Sequence, residues 1–73
     1  LHSVLITPGA AVVGKRLADL ELDRDGVEVR AMRRGGGHIE SGLMDVCVEE
    51  GDVLVLFGSE DGCAAAQISM MQG

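Results

Sequence analysis

The basic or potentially basic side chains that could bind an anion are concentrated in one short stretch of an acidic sequence: Arg30, Arg33, Arg34 and His38. Arginine presents a planar fork of N–H donors that suits phosphate, and glycines 35–37 let backbone amides approach an anion closely. We therefore predict that these four residues form an anion-binding site. The alternative is that the arginines pair with Glu28, Glu40 or the carboxylates of another subunit.

No residue pattern in the sequence supports catalysis. The two His, two Cys and four Ser are scattered without the motif of a catalytic triad or a Cys-His pair. Asp23 and Asp25 resemble part of a calcium loop, but Arg24 lies between them and no bidentate Glu follows at the required spacing. We expect no catalytic residues, and we interpret residues 23–26 as a solvated turn.

Metal binding and disulfide formation have weak support. Cys47 and Cys63 are too few for a zinc site, so we interpret them as reduced, buried and small apolar residues, with a structural disulfide as the alternative. A denser acidic group either holds a divalent ion at a subunit surface or contributes only to solubility: Glu49, Glu50 and Asp52. We predict no metal site.

The overall charge limits the classes of partner. A formal net charge of −6 argues against nucleic acid and against an anionic membrane surface. No apolar run reaches the roughly 18 to 20 residues of a membrane helix, so we expect no direct membrane insertion. Phe57 is the only aromatic residue, which favours a core supported by a partner subunit. Because Leu1 leads almost directly into an apolar stretch, we expect a piece of a longer protein.

The elements that must position these residues follow from hydrophobic periodicity. Residues 2–6 predict a strand, and residues 12–20 predict a short helix with Val13, Leu17 and Leu20 on one face. Residues 27–32 alternate as a half-buried strand, and the glycines after them predict a hairpin that returns through residues 38–40.

The second half of the chain predicts two further strands and a helix. Residues 46–48 alternate, and the continuous apolar run Val53–Phe57 suits the centre of a sheet. Ser59 is a plausible N-cap for a final helix whose buried face would be Ala64, Ile68 and Met71. The predicted fold class is α+β: one domain, residues 1–73, with a small, mostly antiparallel sheet of about five strands and two helices in the order β-α-β-β-β-β-α.

Three segments together resemble the TrkA-C domain, the C-terminal domain of regulators of potassium conductance (RCK_C). They are VVGKRLADL at residues 12–20, GVEVRAMRR at 26–34 and GDVLVLFG at 51–58. The family often has prolines and a Thr where this chain has residues 41–45. Its final helix usually carries more charge than the Ala-rich helix predicted here.

The resemblance implies a cytoplasmic, non-enzymatic regulatory domain on the cytosolic side of a potassium channel, uptake regulator or cation/proton antiporter. It implies a homodimer, an attached or associated membrane transport protein and, in some members, a cyclic dinucleotide such as cyclic di-AMP bound across the dimer cleft. We therefore expect a ligand-sensing domain of a transport system. A ligand-free dimerisation scaffold is the alternative, and an enzyme domain is a third hypothesis without a supporting constellation.

Overall fold

The structure, a computed structural model, describes residues 2–72, the last of them by its backbone only. Across these residues the strands are β1 (His2–Leu5), β2 (Glu28–Arg34), β3 (Gly37–Ile39) and β4 (Val53–Phe57). They are followed by the helix α1 (Glu60–Gln72), and three short 3-10 helices occupy Leu17–Leu20, Leu22–Asp25 and Leu43–Asp45. The α+β class is confirmed, but the described chain has four strands and one α-helix where about five strands and two helices were predicted.

The strands form one antiparallel sheet in the order β1-β4-β2-β3. The apolar run of β4 lies in an interior position of this sheet, as the sequence predicted. Leu54 and Leu56 are fully buried, whereas Val53 and Val55 are half-buried on the opposite face. The alternation arises because successive strand residues point to opposite sides.

The hairpin between β2 and β3 is confirmed, and its geometry explains two of the glycines. Gly35 and Gly36 form the turn, with φ of 55° and 80°. Positive φ at both central residues is the pattern of a type I′ turn, whose twist matches that of the strands it joins. The turn therefore fixes Arg33 directly opposite His38.

The predicted helix at residues 12–20 is wrong over most of its length, because long-range backbone pairing replaces it. Gly14 N donates to Val48 O at 2.8 Å, and Val48 N donates to Lys15 O at 2.8 Å. Helical geometry survives only in the 3-10 turn at Leu17–Leu20. The predicted strand at 46–48 is correspondingly reduced to an isolated bridge between Arg16 and Cys47.

Helix α1 begins as predicted but presents a different face to the core. Ser59 Oγ accepts a hydrogen bond from Gly62 N at 3.0 Å, which is the N-cap interaction. The buried residues are Cys63, Ala66 and Met70, while Ile68 is 57% exposed. The buried face therefore differs by about one position from the predicted face of Ala64, Ile68 and Met71. Of those three residues, only Met71 packs partly against the core.

Candidate ligand-binding face

One side of the sheet is covered by α1 and the 3-10 helices, and no element of the described residues covers the other side. Val4, Leu54 and Met32 are neighbours in register and are at most 1% exposed, so they mark the covered face. We call the opposite side the open face. Because side chains alternate along each strand, the residues next to these belong to the open face. Its members across the centre of the sheet are Leu5, Val53, Val55, Phe57, Ala31, Arg33 and His38.

Arg33 and His38 lie side by side on the open face. They are register partners, and the same row continues through Val53 to Leu5. His38 Nε2 lies 2.9 Å from a carboxylate oxygen of Glu40. Arg33 is exposed and makes no ion pair with any residue in the described part of the chain. Its guanidinium is therefore available to an external anion.

Arg30 flanks the open face from a β-bulge. The register between β2 and β4 shifts between Val29 and Ala31, which leaves Arg30 as the extra residue. Its guanidinium lies 4.5 Å from the centroid of the Phe57 ring and 3.2 Å from a Glu28 carboxylate oxygen. A cation over an aromatic face is attracted by the ring quadrupole. Arg30 is thus held against Phe57, and Glu28 balances part of its positive charge.

Arg34 lies apart from the other predicted site residues, because consecutive strand residues point to opposite faces. Its Nε and Nη2 donate to the two carboxylate oxygens of Asp52 at 2.9 and 2.8 Å. Nη2 also donates to the carbonyl oxygen of Cys47 at 2.7 Å, and Nη1 lies 3.0 Å from Glu49 Oε2. The predicted quartet therefore divides into three residues at the open face and one that ties β2 to residues 47–52.

The carboxylate of Asp52 is buried, with only 2% of its side chain exposed. Besides the two bonds from Arg34, it accepts one from Glu49 N at 2.8 Å. The hydrogen bonds from Arg34 are the main reason that the pKa of Asp52 is lowered, and they outweigh burial, which raises it. The same pairing raises the pKa of Arg34. Asp52 therefore stays ionised and positions Arg34.

Asp52 was predicted only as one of three surface carboxylates. Among the described residues no group of three His, Cys, Asp or Glu side chains could hold a metal ion, and Glu49 with Asp52 instead contacts Arg34. The signal that could have separated Arg34 from Arg33 is the period of two along β2. The partner of Arg34 is 18 positions away, and no local pattern identifies it.

The two cysteines differ from their interpretation in one respect. Both are free thiols, and Cys63 is buried, but Cys47 is exposed.

Within residues 2–72 no helix is both long and apolar enough to cross a membrane.

Comparison with known proteins identifies one curated relative, the putative K(+) efflux antiporter KefB of Alkalimonas amylolytica. It is 32% identical over 68 residues, which cover 93% of this chain. The matched segment amounts to 10% of the antiporter, so this chain spans a small part of its relative.

Solved structures that share the fold include two domains in complex with c-di-AMP. The first is the RCK_C domain dimer of S. agalactiae BusR in complex with c-di-AMP, with a TM-score of 0.83 and 21% identity, covering 94% of this chain and 92% of that one. BusR is also known in complex with its busAB-promotor DNA, where the match covers 34% of the BusR chain. The second is the RCK C domain of the potassium transport protein KtrA in complex with c-di-AMP, with a TM-score of 0.81 and 22% identity, covering 92% and 78%.

The family assignment rests on the family model rather than on these structures, whose low identity shows the fold alone. The sequence model of the TrkA-C domain family matches residues 1–67, which is most of the chain. The resemblance seen in the three sequence segments is thereby confirmed. This chain belongs to the TrkA-C domain family, whose domains regulate potassium transport and are not enzymes.

Proposed function

We propose that this domain is the cytoplasmic sensor of a potassium or other cation transport protein, in which two copies pair through the open face and respond to a small anionic ligand. The observation that carries the proposal is the composition of that face. It combines exposed apolar side chains with a guanidinium that has no carboxylate partner in the described chain. A ligand regulates such a pair when it binds one arrangement of the dimer better than another.

The apolar part of the open face supports pairing with a second copy. Leu5 is 57% and Phe57 is 48% exposed, and the half-buried Val53 and Val55 lie between β1 and β2. A domain of this size buries only about 60% of the surface of its unfolded chain, so covering one open sheet face adds substantially to its core. The RCK_C domain of BusR, which shares this fold, is itself a dimer.

The basic part of the same face supports an anionic ligand. Arg33 and His38 adjoin the apolar row, and Arg30 flanks it beside Phe57. In a twofold dimer each copy would supply the same set, which matches a ligand with two phosphates, such as cyclic di-AMP. Both structural relatives were solved with c-di-AMP. Because Glu28 and Glu40 already contact Arg30 and His38, Arg33 supplies the main free charge on this face among the described residues.

The size of the match to the antiporter supports attachment to a longer transport protein. The domain corresponds to 10% of that relative, and we propose that it acts on the cytosolic side of such a protein. We do not extend the proposal to nucleic acid, although BusR binds promotor DNA, because the net charge of −6 opposes binding to phosphate backbones.

The second candidate function is a ligand-free dimerisation scaffold. It is favoured by the Arg30–Glu28 ion pair and the His38–Glu40 contact, which leave Arg33 as the one arginine of the open face without an ion pair among the described residues. One phosphate contact per subunit is little to hold a dinucleotide. Thermal unfolding with and without cyclic di-AMP separates the two functions, because a ligand that binds only the folded state raises the midpoint by mass action.

The ligand experiment compares Arg33→Ala with Lys15→Ala, which removes the same charge from an exposed residue outside the open face. We expect cyclic di-AMP, but not ATP, to raise the unfolding midpoint of the wild type and of Lys15→Ala, and to have little effect on Arg33→Ala. No shift for the wild type would favour the scaffold. An equal shift in both variants would remove Arg33 from the site.

The pairing experiment uses Leu5→Asp and Ile68→Asp, since both residues are 57% exposed but Ile68 lies on α1. Sedimentation of the 73-residue chain is expected to give a dimer mass for the wild type and Ile68→Asp, and a monomer mass for Leu5→Asp. A monomeric wild type at high protein concentration would contradict pairing. A dimeric Leu5→Asp would place the interface elsewhere.

A further inference from the structure

A groove of about 690 Å³ lies where the three 3-10 helices meet the beginning of β2. We call it the acidic groove. Its floor is apolar and includes Leu17, Leu22 and Leu43, one from each 3-10 helix, with the half-exposed Met44 at its edge. Volumes of this order are typical of ligand-binding clefts. The floor alone would accept many apolar partners, so the charge of the rim must decide which one fits.

Among the described residues, the charged side chains that line the groove are all acidic: Glu21, Asp23, Glu28 and Asp45. Glu21 is paired with Arg24 at 2.9 Å and Glu28 with Arg30 at 3.2 Å, both on the exposed surface. Asp23 and Asp45 are in no ion pair with another described residue. The groove thus retains a net negative rim around an apolar floor.

This charge disfavours a phosphate ligand. A phosphodiester would place its negative oxygens beside Asp23 and Asp45, whose unpaired carboxylates repel it. A basic segment with large apolar side chains complements both parts of the groove, because its side chains fill the floor while its ammonium or guanidinium groups meet the rim.

We propose that the acidic groove docks a basic, amphipathic peptide segment, a contact separate from the anion-binding open face. The proposal goes beyond the sensor function. It gives the domain a second surface, which a positively charged peptide segment of a partner protein occupies. Asp23 and Asp45 supply the charge recognition, and Leu43 with Met44 supplies apolar contact.

The test uses a fluorescein-labelled helical peptide of leucine and lysine as the probe, and the same peptide with glutamate in place of lysine as its control. Anisotropy with the 73-residue chain is expected to show binding of the lysine peptide only, weakened about tenfold or more by Asp23→Asn/Asp45→Asn. The matched variant Glu50→Gln/Glu60→Gln removes two charges outside the groove lining and is expected to change binding less than twofold. Equal weakening by both double variants would overturn the proposal, since general attraction to an acidic protein would then explain the binding.

The site of binding is checked by amide chemical shifts. The lysine peptide is expected to move the resonances of Val29, Leu43 and Met44, and to bind Arg33→Ala as tightly as the wild type. If those resonances respond instead to cyclic di-AMP or to rising chain concentration, the groove holds a nucleotide or a second copy and the proposal fails. Failure of the ligand experiment at Arg33 leaves this result unaffected, so the two proposals are refuted separately.

Discussion

The ion pair of Arg34 with Asp52 provides the sharpest test of how this fold is held together. Replacing Arg34 by Met keeps most of the side-chain volume but removes two of the three hydrogen bonds to a carboxylate that is 2% exposed. Removing one partner of a buried ion pair typically costs about 3–5 kcal/mol. The cost is lower here, because Arg34 is itself 33% exposed and Glu49 N still donates to Asp52. We expect a loss of about 2–3 kcal/mol.

Urea denaturation followed by circular dichroism measures this loss, and Arg33→Met is the matched control. Arg33 is the next residue on β2, carries the same charge and lies on the opposite face without an ion pair in the described chain. Its replacement is expected to change the free energy of unfolding by less than about 0.5 kcal/mol. Thermal midpoints should separate the two variants by roughly 6–24 °C, at about 4–8 °C per kcal/mol for a domain of this size.

A double variant separates the ion pair from side-chain packing. Arg34→Met/Asp52→Asn removes the buried charge together with its partner, so its loss should be smaller than the sum of the two single losses by about 1–3 kcal/mol. If Arg34→Met is no more destabilising than Arg33→Met, or if the two single losses simply add, the buried pair does not stabilise the fold and the reasoning is refuted.

Three further outcomes follow from the structure. Because the folded-state pKa of Asp52 is lowered, its contribution to stability is present above the ordinary value of 3.8 and is lost as the pH falls through the folded value. The difference in unfolding free energy between wild type and Asp52→Asn, measured in urea, should therefore be constant from about pH 5 to 7 and shrink below about pH 4. A constant difference down to about pH 2 would contradict this linkage. Gly62→Ala should lower the free energy of unfolding by about 1–3 kcal/mol, because the added Cβ would lie 2.5 Å from Asp25 O, even though Ala normally stabilises a helix. If the variant is as stable as the wild type in urea, α1 shifts freely. Glu21 has φ of 53°, in the left-handed region that glycine adopts without steric cost, so Glu21→Gly should leave the free energy of unfolding unchanged or raise it by up to about 1 kcal/mol. A loss above about 1 kcal/mol in the same assay would mean that Glu21 stabilises the fold through its side chain.

Local chemistry predicted those parts of the fold that local interactions decide. The apolar run of β4, the two-glycine turn and the Ser59 cap depend on residues close in sequence, and the structure confirms all three. The predicted helix at residues 12–20 failed for the opposite reason. Its apolar spacing was helical, but Gly14 has φ of 88° and the backbone of residues 14–17 pairs with residues 46–48. Pairing over that distance outweighs a short periodic pattern.

The face of α1 was misjudged because its sequence is almost uniformly small and apolar. Ala64, Ala65 and Ala66 offer nearly equal hydrophobicity on three sides, so periodicity alone cannot select one. Contact with β1 and with the 3-10 helix at Leu22–Asp25 decides it, and this buries Ala66.

The candidate site was predicted in composition but not in arrangement. Three of the four basic residues lie at the open face, where strand register brings Arg33 and His38 together. Arg34 is separated from them by its bond to Asp52, which depends on where residues 47–52 lie in the completed fold. The acidic groove was not foreseen, because residues 42–45 come to lie beside residues 17–29 only in the completed fold.

The interior position of β4 also constrains the order in which the domain can fold during synthesis. The hairpin of β2 and β3 joins neighbouring residues and can close early. Among the described strands β1 pairs with β4 alone, and β4 follows both strands of that hairpin in the sequence. Closing so long a loop costs entropy before any contact repays it, which slows folding. On the ribosome, β1 must therefore wait with its apolar residues uncovered until Val53–Phe57 has emerged, and this interval is when the nascent domain is most exposed to misassociation.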